Sequence, residues 1–231
     1  MTTARASAGV VEEAAPERRS VGLLGYLLPP ATMVALLGVT LIVLLTPAWV
    51  HTAMDLAGGG IPGVAPSAAR AVSDATVADL LLEGDFSVTL PDGSPAYTPD
   101  EASHLRDVRV VLYVFLALAV AAAILVVATL TQRPRDYRSW RAVALGGAAL
   151  VGMLAVLGVV AAVAFGLAFE LFHRLLFPGG NWAFPADSNL IRLYPIAFWQ
   201  LSAAALGLLA GGAGALTWWI GRRRAASLRH R

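Results

Sequence analysis

The chain has 231 residues, of which 58% are apolar and only 14% charged, against about 45–50% and 25% in ordinary soluble domains. It contains no cysteine, which excludes disulfides, thiolate metal sites and cysteine nucleophiles. All 17 of its basic residues are arginines, which excludes Schiff-base chemistry and a Ser–Lys dyad. The pI near 9.4 does not point to nucleic acid, because the charges are scattered in short segments between long apolar runs.

Four runs reach the roughly 20 apolar residues needed to cross about 30 Å of hydrocarbon: residues 21–50, 108–131, 142–169 and 195–221. The pattern is that of an all-α polytopic membrane protein with four transmembrane helices. The first run carries Pro29 and Pro30, which remove two backbone donors and predict a kink or mark the true start of that helix. It is about twice the length of a signal-peptide core and follows 20 polar residues, so it reads as a span rather than a cleaved leader.

Arginine placement orients these spans. Segments 1–20, 132–141 and 222–231 carry 3, 4 and 5 arginines, whereas 11 of the 15 acids fall in 51–107 and 170–194. The positive-inside rule makes the first three segments cytoplasmic and the other two extracytoplasmic.

Segment 51–107 is too long for a simple connection and is expected to fold. Gly58 to Pro66 reads as a flexible start, Ser73–Gly84 as a short helix, and Phe86–Leu90 as a strand entering the turn Pro91-Asp92-Gly93. Thr98-Pro99-Asp100-Glu101 is a capping box with proline at the first helical position. The helix it opens is expected to run unbroken into the second span.

Glu101, His104 and Asp107 are spaced i, i+3, i+6 and so share one face of that helix. His173 follows the third span, and a short cytoplasmic loop joins the second and third spans. A helical hairpin therefore brings His104 and His173 to one depth at the outer interface. Glu101 and Asp107 flank one imidazole, and Glu170 and Arg174 flank the other. A carboxylate beside an imidazole orients its tautomer and raises its basicity.

The same residues have plainer readings. A histidine at a helix end is an aromatic, half-polar anchor, and Glu170–Arg174 is an ordinary i, i+4 pair. Arg106 and Arg109 suit lipid phosphates, and Trp182, Trp199, Trp218 and Trp219 suit an aromatic belt. His51, at the outer end of the first span, and His230, in the tail, read as interfacial or solvated. No metal-ligand spacing and no GxSxG elbow is present. No span carries a charge at its middle, which argues against a transporter.

Two stretches carry a family resemblance. Glu101-Ala-Ser-His104-Leu-Arg-Asp107-Val108-Arg109, followed by a span, resembles one signature of the lipoprotein intramolecular transacylases. Phe172-His173-Arg174-Leu-Leu-Phe177-Pro-Gly-Gly-Asn181-Trp182, continuing through Leu190-Ile191-Arg192-Leu-Tyr-Pro195, resembles the other. Tyr97 and the Asp92-Gly93 turn also fit. One departure is Ile196, where the family pattern leads one to expect an acidic residue.

The resemblance implies four spans in a bacterial cytoplasmic membrane, with the active site at the outer face. It implies an acyl shift on a diacylated lipoprotein, from the diacylglyceryl group to the α-amino group of the N-terminal cysteine. His104 and His173 would be catalytic, with Glu101, Asp107, Arg109, Glu170, Arg174, Asn181 and Trp182 binding or orienting substrate. No metal and no cofactor is implied. The partners would be the lipoprotein and membrane lipids, and not nucleic acid. A non-catalytic membrane scaffold that binds lipoproteins is the alternative.

Overall fold

The computed structural model describes residues 23–229. The tail 1–20, the first two residues of the first expected span, and His230 lie outside it. Seven helices follow one another: α1 (Leu23–Leu44), α2 (Pro47–Ala57), α3 (Pro66–Leu82), α4 (Pro99–Gln132), α5 (Tyr137–Leu176), α6 (Asn189–Leu193) and α7 (Ile196–Arg229). Of these, α1, α4, α5 and α7 are long and apolar enough to cross a membrane. The protein is a multi-pass membrane protein.

Close approach of small residues holds the bundle together. A Cβ on Gly38 of α1 would overlap that of Ala119 on α4, one on Gly146 of α5 would meet Pro29 and Thr32 of α1, and one on Gly147 would meet the backbone of α7 at Gly214. In lipid, where tails are as apolar as leucine, such backbone proximity is what associates helices. α1 is thus the wedge between α4 and α5, which touch little despite their short connection. Ala119 lies fifteen residues beyond His104 on α4, and only six residues of α1 remain above the Gly38 crossing. At 1.5 Å per residue, α1 therefore ends well short of the histidine level, and α4 and α5 are free to approach each other there.

The first apolar run is not one helix. α1 begins at Leu23, runs through Pro29 and Pro30, and stops at Leu44. Pro47 then opens α2 at its first turn, so His51 belongs to α2 rather than to a span. There its Nε2 lies 2.8 Å from Asp74 Oδ1 of α3. The glycines after α2 are not a flexible tether either. Gly58 caps α2 in the left-handed conformation (φ 69°), Gly59 packs against the Leu193 carbonyl, and Gly60 N–H donates to Arg192 O at 2.9 Å.

α3 starts seven residues earlier than its sequence pattern suggests, because Pro66 fixes φ at the first helical position. Ser73, expected at the start of this helix, sits mid-helix and fully buried, with its hydroxyl 2.8 Å from that of Tyr194. The expected strand reduces to a single bridge, Thr89–Pro95, around the Asp92-Gly93 turn.

These pieces form a cap on one end of the bundle. Its core includes Val50, Met54, Val72, Phe86, Tyr97, Leu105, Leu190, Leu193 and Phe198. Thr76 Oγ1 donates to Val72 O, so the Tyr97 hydroxyl, 2.7 Å away, donates to Thr76. Burial pushes the Tyr194 phenol up to about 12 and that of Tyr97 well above its ordinary value. Both stay protonated, as hydroxyls that pin α3 to its neighbours.

Candidate active site

The capping box at the start of α4 is complete: Thr98 Oγ1 accepts from Glu101 N–H, and Glu101 Oε2 accepts from Thr98 N–H at 2.7 Å. α4 then runs unbroken to Gln132 and carries His104 on its second turn, 6% exposed. α5 delivers His173 from the opposite direction. Its helical course breaks once, at Ala164 (φ −143°, ψ 48°), and the segment beyond that kink bears Phe165, Phe169, His173 and Phe177.

The two imidazoles face each other with ring centroids 6.1 Å apart, and no hydrogen bond joins them among the described residues. Aromatic rings enclose the pair. Phe177 and Phe184 meet His104 in T-shaped arrangements, with ring centroids 4.9 and 5.6 Å away. Phe169 and Trp182 lie 4.1 and 5.1 Å from His173.

The nitrogens are not equivalent. His173 Nδ1 is 2.7 Å from the Phe169 carbonyl. A carbonyl only accepts, so Nδ1 carries the hydrogen and Nε2 is left with its lone pair. His104 Nδ1 is buried and has no hydrogen-bond partner among the described residues.

The acids that share the His104 face serve the loop above it rather than the imidazole. Glu101, 2% exposed, accepts through Oε1 from the Ser188 hydroxyl at 2.5 Å and from Leu190 N–H at 3.0 Å. Asp107 Oδ2 accepts from Asn181 Nδ2 at 2.6 Å. One clamp lies a turn to each side of His104, and together they fasten segment 177–190, with Phe177, Trp182 and Phe184, over the histidines.

Arg109 is turned away from the histidines. It donates to the carbonyls of Asp79 and Gly84 and lies 5.3 Å over the Phe86 ring, holding a loop in which Phe86 adopts a strained φ of 63°. The guanidinium read as a lipid or substrate contact is a structural tie. Glu170 and Arg174 pair with each other at 2.5 Å on the exposed side of α5, and among the described residues no hydrogen bond links either to His104 or His173. Ile196 is the first, half-exposed residue of α7.

Phe169, Phe184 and Ser188 escaped the sequence reading, and Phe177, though part of the second signature, was given no role there. The i−4 and i+4 spacing of Phe169 and Phe177 around His173 was a usable signal. Phe184 and Ser188 lie in a loop and carried none.

The model of the family described as lipoprotein intramolecular transacylase Lit matches residues 82–199, just over half the chain, with both histidines inside the match. The chain belongs to the Lit family. The Lit match spans the cap loop, α4, the histidine-bearing α5, the clamped segment and the start of α7. The fold agrees with solved Lit structures from Bacillus cereus: one superposes with a TM-score of 0.73 at 17% identity, covering 90% of this chain and 97% of that one. A second, in which a histidine is replaced by arginine, gives 0.68 at 17% identity, covering 90% and 93%. At that identity the likeness is one of fold. An uncharacterized protein of Aquifex aeolicus is 30% identical over 141 residues, 59% of this chain and 63% of that protein. The matched stretch thus spans a little under two thirds of the relative.

Proposed function

We propose that this Lit-family protein moves an ester-linked acyl chain of a lipoprotein's diacylglyceryl group to the α-amino group of its N-terminal cysteine. The observation that carries the reading is the pair of unlike imidazoles: His173 with Nε2 free to accept, and His104 facing it across 6.1 Å. In this reading His173 Nε2 takes a proton from the attacking amine. The amine nitrogen bonds to the ester carbonyl carbon, the carbon–oxygen bond to glycerol breaks, and the glyceryl oxygen receives a proton. His104 donates a hydrogen bond to the ester carbonyl oxygen, and His173 passes the proton it took on to the leaving glyceryl oxygen, so both imidazoles end as they began and no water, oxidant or second substrate is consumed.

An α-amino group with a pKa near 7.7–8.0 is well matched to imidazole. Because donor and acceptor belong to one molecule, alignment alone supplies up to about 7–11 kcal/mol of the barrier. The aromatic enclosure supports the reading by keeping water, the competing nucleophile, away from the ester.

Our reading also places residues 1–20, 132–141 and 222–231 in the cytoplasm, and the histidine cap at the outer face of a bacterial cytoplasmic membrane, where a lipoprotein's first residue resides. Glu101, Asp107, Asn181 and Trp182 orient the enclosing segment. Arg109, Glu170 and Arg174 are assigned no contact with substrate.

The test is mass spectrometry of lipoprotein N-termini from a host expressing this chain. N-acylated lyso-form lipoprotein is expected with the wild type and its loss with His173→Asn. Unchanged diacylglyceryl N-termini in the presence of folded wild-type protein would favour a lipoprotein-binding scaffold instead.

A further inference from the structure

The end of the bundle opposite the histidines has a concave feature that the acyl shift does not use. A groove of about 250 Å³ is lined by Thr32 and Ala35 of α1, Val126 of α4, Val143 of α5, and Thr217 and Gly221 of α7. All four spanning helices contribute a wall. The groove opens where the chain leaves its apolar runs. Leu130, at its rim, precedes Arg133 by three residues, Trp140 directly precedes Arg141, and Gly221 directly precedes Arg222, Arg223 and Arg224. A Cβ on Gly221 would meet the Trp140 carbonyl, so the backbones of Arg141 and Arg222 lie side by side at the mouth.

Charge at this end is one-sided. Residues 132–141 and 222–229 hold eight arginines and a single acid, Asp136. That acid is occupied as the cap of α5, accepting from the backbone of Arg138 and from Ser139. The three ion pairs of the described residues all lie elsewhere. Arg222 and Arg223 rest on the faces of Trp218 and Trp219, 4.7 and 4.2 Å from the ring centroids. A guanidinium stacked by its face keeps its N–H edges for an acceptor, and its fork geometry suits phosphate.

We propose that this groove binds an anionic phospholipid, with one acyl chain between the four helices and the phosphodiester at Arg141 and Arg222. A crevice between apolar helix faces in a bilayer is filled by lipid tail, and the arginine excess selects the charge of the headgroup. The site fixes the arginine-rich end of the bundle to the anionic leaflet, at the end of the molecule remote from the histidines.

The full chain in non-ionic detergent is titrated with dioleoyl-phosphatidylglycerol or dioleoyl-phosphatidylcholine, and retained lipid is counted by native mass spectrometry. Retention of the anionic lipid is expected to exceed that of the zwitterionic one by about tenfold. Arg141→Gln with Arg222→Gln should erase most of the preference, at about threefold per arginine. Arg106→Gln, at the other end, should leave it intact. Glycerol phosphate, which carries the charge without a chain, should not compete at the same concentration. Equal retention of the two lipids, a preference that survives the double substitution or falls equally with Arg106→Gln, or full competition by glycerol phosphate would overturn the proposal.

Discussion

Glu101 shows how a single side chain can be placed correctly and serve a different end. Its i−3 spacing to His104 puts it on the imidazole's face, yet its carboxylate is spent on Thr98, Ser188 and Leu190. Three donors converge on two oxygens, and a Gln amide would turn an N–H₂ toward one of them. Glu101→Gln is therefore expected to lower stability by about 1–3 kcal/mol, read as a fall in the thermal midpoint in detergent. An unchanged midpoint would contradict the clamp. The second clamp is testable by exchange. Asp107→Asn should loosen segment 177–190, seen as faster amide exchange there, and should slow acyl transfer less than loss of a histidine does. Asn181→Asp, which opposes two carboxylates 2.6 Å apart, should be worse. Combining the two restores one donor and one acceptor, and should recover most of the wild-type behaviour. Two separate, additive losses would mean that the contact does not fasten the segment.

Among the helices, what the sequence made legible was what local chemistry dictates. The Thr98–Glu101 capping box, with Pro99 behind it, specified the start of α4, and its apolar run specified the rest. The break between α1 and α2 was hidden because the apolar pattern continues across Thr46-Pro47, so hydropathy alone joins two helices. Gly58–Gly60 looked like a tether because a glycine used for close packing against Leu193 reads the same as one used for freedom. The histidine pair was legible from chain distance along a hairpin. The wedge of α1 between α4 and α5 was not, since it depends on which small residues meet across helices. That wedge makes a prediction. Gly38→Ala is expected to cost about 1–3 kcal/mol through overpacking against Ala119, and adding Ala119→Gly should recover most of it. Gly158→Ala, where the added methyl meets nothing within 4 Å, should be neutral or slightly stabilising. Thermal unfolding of the four proteins in one detergent checks both, and equal effects at the two glycines would contradict the packing account.

Taken whole, the molecule is a lipid-embedded bundle with a folded cap at one end and an arginine-rich rim at the other, and the proposed function depends on which end faces out. Reporter fusions at residues 60 and 180 are expected to read extracytoplasmic, and fusions at 136 and 228 cytoplasmic. A cytoplasmic signal at 60 or 180 would overturn the arginine argument. The central claim is that His104 and His173 act as one acid–base unit on an acyl ester. Its most direct measurement is the rate of lyso-form lipoprotein production, by mass spectrometry of N-termini, in His104→Asn, His173→Asn and the double variant at matched expression. Asparagine roughly keeps the imidazole's volume and hydrogen-bonding capacity but exchanges no proton near neutral pH. Each single change is expected to cost about 10²–10⁴-fold, with the double variant hardly worse than either, as residues serving one step are strongly non-additive. Wild-type rates in both single variants, or losses that multiply in the double, would contradict it.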